Sequence, residues 1–117
     1  MLKLAVLLFA IGALGGLVLA SSVLRGRQAP WALSLLHAAL GATGLVLTGI
    51  VVLEGSAEGG GKIPIALLIL LVAALGGFFL ASFHARKLPA PKPVVLIHAG
   101  VAVVGFLLLA GSVFRLI

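Results

Sequence analysis

Three histidines, His37, His84 and His98, and two acids, Glu54 and Glu58, are the side chains in this 117-residue sequence best suited to ligation or proton transfer. Cys is absent, so disulfides, thiolate metal sites and covalent haem attachment through C-x-x-C-H are excluded. His37 and His98 lie 61 residues apart, each is followed by Ala, and each stands seven residues after a proline, Pro30 or Pro91. Two imidazoles placed alike in two corresponding segments aim at one point. Neutral imidazole is a common axial donor to haem iron, which accepts ligands from opposite sides. A structural zinc site wants four ligands, and two or three histidines without Cys or a neighbouring acid do not supply them.

These histidines sit in a very apolar chain. It is 63% apolar and 9% charged, with a mean hydropathy of +1.42, whereas a soluble domain carries about 25% charged residues. That composition excludes a soluble enzyme, a disordered tail and a disulfide scaffold. Four runs have the length of about 20 residues that a helix needs to cross a bilayer core: 2–24, 31–53, 63–85 and about 94–114. The connectors 25–30, 54–62 and 86–93 hold the breakers Pro30, Gly59, Gly60, Gly61, Pro89, Pro91 and Pro93. Backbone groups in hydrocarbon must pair within their own segment, so the expected fold class is all-α, an integral membrane four-helix bundle in a single domain. The first run resembles a signal peptide in having Lys3 at its start and Val18-Leu19-Ala20 near its end. It is longer than the usual hydrophobic stretch of such a peptide and reads as a structural span.

Shifting the sequence by 61 places Ala13-Leu14-Gly15-Gly16 on Ala74-Leu75-Gly76-Gly77 and Leu19-Ala20-Ser21 on Leu80-Ala81-Ser82. The same shift matches Arg25 with Arg86, Pro30 with Pro91, His37 with His98 and Gly44 with Gly105. Residues 2–56 and 63–117 share 18 identities over 55 positions without a gap. Each unit holds two spans, so the expectation is two parallel two-helix repeats about a pseudo-two-fold along the membrane normal. Spans 2 and 4 then lie on one diagonal, and their histidines face each other about 10 Å from one end of the bundle.

Glycines surround that level: Gly41 and Gly44 follow His37, Gly105 follows His98, and Gly15-Gly16 and Gly76-Gly77 lie at similar depth on the other diagonal. They suit a flat ligand between the rings, although Gly12/Gly16/Ala20 and Ala73/Gly77/Ala81 are equally ridges for close helix packing. The expected ligand is haem b, held by His37 and His98, with Arg25 and Arg86 supplying cations for its propionates. His84 corresponds to Val23 and reads as an interfacial histidine suited to a propionate contact or proton transfer. Trp31 reads as an interfacial anchor.

Arg25, Arg27, Arg86, Lys87 and Lys92 occupy the first and third connectors without an acid, against Lys3, Lys62 and Arg115 diluted by Glu54 and Glu58 on the other side. The positive-inside rule then puts connectors 25–30 and 86–93 in the cytoplasm of a bacterial inner-membrane protein, with both termini outside. A net charge of +6 distributed in this way marks a membrane protein with lipid contacts rather than a nucleic-acid binder.

With four spans and His37 and His98 at matched depth, the chain resembles in architecture the four-helix bis-histidine membrane cytochromes b, such as the cytochrome b561-like proteins. The resemblance implies electron transfer through haem. Those families usually carry four ligands for two haems; this sequence has no histidine near the outer end of any span, which implies one haem. In size and span count the chain also looks like a small multidrug resistance transporter, but its first span lacks the membrane-embedded carboxylate such a pump uses. A third reading is an accessory subunit of a larger membrane complex. The expected function is a haem b electron carrier served by a quinone or a redox partner protein, as a homo-oligomer or within a complex; nothing points to a stand-alone enzyme.

Overall fold

A computed structural model describes residues 1–55 and 61–117 as four helices: α1 (Leu2–Leu24), α2 (Trp31–Leu53), α3 (Lys62–Ala85) and α4 (Lys92–Val113). The expected positions of Glu58, Gly59 and Gly60 lie outside the described residues. Each helix is long and apolar enough to cross a membrane. Two starts differ from the sequence reading: α3 begins at Lys62, and α4 takes in Lys92 and Pro93. Proline is tolerated there because the first turn of a helix has no partner for the missing N–H.

The helix ends are closed by the backbone itself. After α1, the N–H of Gly26 donates to the Val23 carbonyl and that of Arg27 to Ser22, with Gly26 at φ +73°. After α3, Lys87 donates to His84 and Leu88 to Phe83, with Lys87 at φ +57°. This pair of bonds is the Schellman arrangement, which needs a left-handed residue just past the helix. Gly26 takes it without strain, whereas Lys87 does so with a side chain in place.

The helices run around a square. α1 packs most extensively on α2 and α3 on α4, with smaller α1–α4 and α2–α3 seams; the diagonal pairs make no close backbone approach. The bundle measures 42 × 21 × 19 Å, its long axis matching helices of 22 to 24 residues. At the end carrying the chain termini, Leu2, Val6, Val51, Ile63, Ala66, Leu70 and Leu109 form a close-packed core. Thr48 and Ser112 are buried there and donate to the carbonyls of Gly44 (2.8 Å) and Leu108 (2.6 Å), so neither hydroxyl is stranded. Toward the basic end, beyond Gly12 and Ala73, the buried described residues reduce to Ser22, Ala29 and Val95. Leu19, Leu33, Leu40, Leu80 and both helix-embedded histidines of α2 and α4 are only half-buried.

Glycine permits the close packing within each helix pair. A Cβ on Gly44 would stand 2.7–2.9 Å from three ring atoms of Phe9, and one on Gly105 would stand 2.9–3.0 Å from Leu70 and Ile69. A rigid ring cannot yield as a flexible side chain can. Gly44→Ala is therefore expected to destabilise the bundle by about 1–3 kcal/mol, the usual cost of overpacking. Reversible unfolding in mixed micelles measures it, and adding Phe9→Ala should remove most of the coupling. Gly41→Ala is the contrasting case. Nothing lies within 4 Å of its added Cβ, so the change should be neutral or stabilising by about 0.5–1 kcal/mol.

Candidate functional site

His37 is on the seventh residue of α2 and His98 on the seventh of α4, on one diagonal. Their ring centres are 6.3 Å apart and the planes are nearly perpendicular, at 86°. Each ring is oriented by a backbone carbonyl of its packed neighbour. His37 Nδ1–H donates to the Gly12 carbonyl on α1 at 2.7 Å, and His98 Nδ1–H to the Ala73 carbonyl on α3 at 2.8 Å. Both bonds span 25 residues, and they occur at positions 61 apart.

That contact settles the tautomer. A carbonyl can only accept, so the hydrogen of each neutral ring is on Nδ1 and the lone pair is on Nε2. An Nδ1–H held by a carbonyl is the usual support of a histidine that ligates a metal through its other nitrogen.

Local sequence explains why the carbonyls are reachable. A helical carbonyl points toward the residue four places on, where a Cβ would ordinarily shield it. Four residues beyond Gly12 is Gly16, and four beyond Ala73 is Gly77. A Cβ on Gly16 would sit 2.8 Å from His37 Cε1, and one on Gly77 would sit 3.1 Å from His98 Cε1. A Cβ on Gly15 would stand 3.7 Å from Leu33 Cδ1 and 4.0 Å from His37 Cβ, and one on Gly76 would stand 3.6 Å from His98 Nδ1. Gly16 and Gly77 thus make room for the imidazoles themselves, whereas a side chain at Gly15 or Gly76 would meet its neighbours in ordinary van der Waals contact. Gly44 and Gly105 make room for Phe9, Leu70 and Ile69, below the level of the rings. Of the glycines expected to line a ligand, Gly41 alone opens onto empty space.

Arg25 and Arg86 are exposed at the ends of α1 and α3, and each turns its Nε back to a carbonyl of its own helix, Ser21 or Ser82, at 3.1 Å. A cation is favourable at that pole of the helix dipole. Arg86 also lies over the Phe83 ring, 4.7 Å from its centre. The structure therefore puts both guanidinium groups at the basic end, where the sequence puts them, with helix termination as their visible role.

His84 is in another contact. Its Nδ1 pairs with the Ser34 hydroxyl of α2 at 2.8 Å, and the Trp31 ring meets it edge-on at 4.7 Å between centres. Sequence reasoning missed Ser34 altogether, along with the Gly12 and Ala73 carbonyls as acceptors at the site. The small-residue ridges containing Gly12 and Ala73 were visible signals; Ser34 gave none. Among the described residues, no three His, Cys, Asp or Glu side chains converge as a metal-binding group. Compared with known proteins, the chain matches no protein family, no curated protein and no solved structure.

Proposed function

We propose that this chain is a multi-pass protein of the bacterial inner membrane that binds one haem b between His37 and His98 and carries electrons. The observation that carries the proposal is the matched pair of carbonyl-anchored imidazoles, 6.3 Å apart on one diagonal of the bundle. An imidazole nitrogen sits about 2 Å from a metal it ligates, so two rings sharing one metal have centres about 6 Å apart. The donor set, the tautomers and this separation fit a bis-histidine haem. So does the location in the half-buried stretch of the bundle rather than in the close-packed core at the terminal end.

When bound, haem supplies reversible one-electron chemistry. The chain's own residues do the rest. The Gly12 and Ala73 carbonyls fix each ring and raise the basicity of Nε2, and Gly16 and Gly77 leave those carbonyls accessible. Arg25 and Arg86 supply positive charge at the end nearer the pair. The two helix pairs act as parallel repeats, which puts both histidines at one depth. The five cations of connectors 25–30 and 86–93 favour the cytoplasmic side for that end, with the termini outside.

The test is a visible spectrum of the detergent-purified protein, oxidised and then reduced with dithionite. The expected result is a Soret band that shifts on reduction. A colourless protein that stays colourless after haem supplementation overturns the reading and leaves the accessory-subunit alternative, which co-purification with a larger complex in mild detergent would support.

A further inference from the structure

The correspondence at 61 residues gives each half of the chain an internal control, and the departures from it are informative. Trp31 corresponds to Lys92, Ser34 to Val95 and His84 to Val23. These three unmatched residues, from two helices, meet at one place on the α2–α3 seam. The Ser34–His84 pair is, among the described residues, the sole hydrogen bond between side chains of different helices. The corresponding positions toward the α1–α4 seam carry two valines.

The chemistry of this histidine differs from that of the central pair. His37 and His98 face carbonyls, which fix one tautomer; His84 faces a hydroxyl, which can donate or accept. With Ser34 donating to Nδ1, the hydrogen of His84 is on Nε2, ready for a ligand carbonyl. With Ser34 accepting from Nδ1–H, Nε2 offers a lone pair to a ligand hydroxyl. A ligand that exists in both a carbonyl and a hydroxyl form suits this pair, and a quinone with its quinol is such a ligand. A phospholipid ester offers acceptors alone. The site is at the basic end of the helices, where Phe79, Leu35 and Leu88 stay exposed for an apolar tail. Ser34 precedes His37 by three residues, about 4.5 Å along α2.

We propose that His84, Ser34 and Trp31 form a headgroup site for a membrane quinone and its quinol. As a source of electrons the site rests on the electron-carrier reading above, but its binding is measurable without haem. Trp31 is the one tryptophan in the chain, so tryptophan emission reports from the site itself.

The experiment titrates decylubiquinone into haem-free protein in phosphatidylcholine nanodiscs and follows quenching of Trp31. His84→Val and Ser34→Val each copy the residue at the corresponding position of the other half, and either variant alone can decide the outcome. The expected result is saturable quenching in the unmodified protein, with binding about tenfold weaker in His84→Val, the worth of one hydrogen bond, and measurably weaker in Ser34→Val. Quenching that rises linearly, as for simple partitioning, overturns the proposal, as does a His84→Val affinity within about twofold of the unmodified protein. Saturation in detergent that disappears in phosphatidylcholine assigns the site to lipid esters and overturns it as well. A colourless protein that still saturates with quinone removes the haem reading and keeps the site; a coloured one without saturable quenching does the reverse.

Discussion

Replacing His37 by Ala is expected to abolish haem absorbance, and His98→Ala is expected to do the same. On the proposed reading each ring would supply one nitrogen to the iron, and no third histidine lies where it could substitute: His84 is tied to Ser34 on the α2–α3 seam. The fold should survive either change. The Gly12 and Ala73 carbonyls are backbone groups of continuous helices, so removing an imidazole strands no buried partner. An interhelical hydrogen bond within a membrane contributes only about 0.6 kcal/mol on average. Both variants should therefore retain their helical circular dichroism while the Soret band is lost from each. His84→Ala, by contrast, should shift the spectrum without removing it. A normal spectrum in either His37→Ala or His98→Ala would mean that the iron has other ligands.

The sequence makes the helices legible and their rotation far less so. Long apolar runs broken by Pro30, Pro91 and Gly-rich connectors locate four spans to within about two residues, because helix length is dictated by bilayer thickness and ends are punctuated by Pro and Gly. Which face of each helix turns inward is another matter. In water, an apolar stripe announces the buried side. Here all sides are apolar, as the exposed Leu14, Leu35, Leu75 and Leu107 illustrate, and in a membrane lipid would compete on equal terms with the core. The glycines show the consequence. Their positions suggest a ring of space at the level of the histidines, yet Gly16 and Gly77 accommodate the imidazoles and Gly44 accommodates Phe9. The pairing of His37 with His98 escapes the difficulty because it rests on correspondence between two halves rather than on a hydrophobic pattern. Ser34 has no counterpart, and only the packing of α2 on α3 brings it to His84.

The second large effect is expected at Gly16, which lies outside any ligand set. Its missing side chain exposes the Gly12 carbonyl to His37, and an alanine Cβ there would stand 2.8 Å from Cε1 and 3.3 Å from Nδ1. Both atoms belong to a rigid ring already held at 2.7 Å from the carbonyl, so the imidazole must swing away. Loss of that bond removes what keeps hydrogen on Nδ1 and the lone pair on Nε2. Disrupting a supporting partner of this kind typically lowers metal affinity by about 10–100-fold. Gly16→Ala is therefore expected to weaken haem binding by that factor in a titration followed at the Soret band. Gly77→Ala should act in the same direction but less, since its added Cβ would stand 3.1 Å from His98 Cε1, a gap that a shift of a few tenths of an ångström relieves. Gly100→Ala, on an exposed face with nothing within 4 Å of its Cβ, is the control and should bind haem unchanged. If Gly16→Ala binds as tightly as Gly100→Ala, the Gly12 carbonyl does not position the ligand. The ordering Gly16 before Gly77 before Gly100 would tie affinity to the freedom of each imidazole to reach its carbonyl.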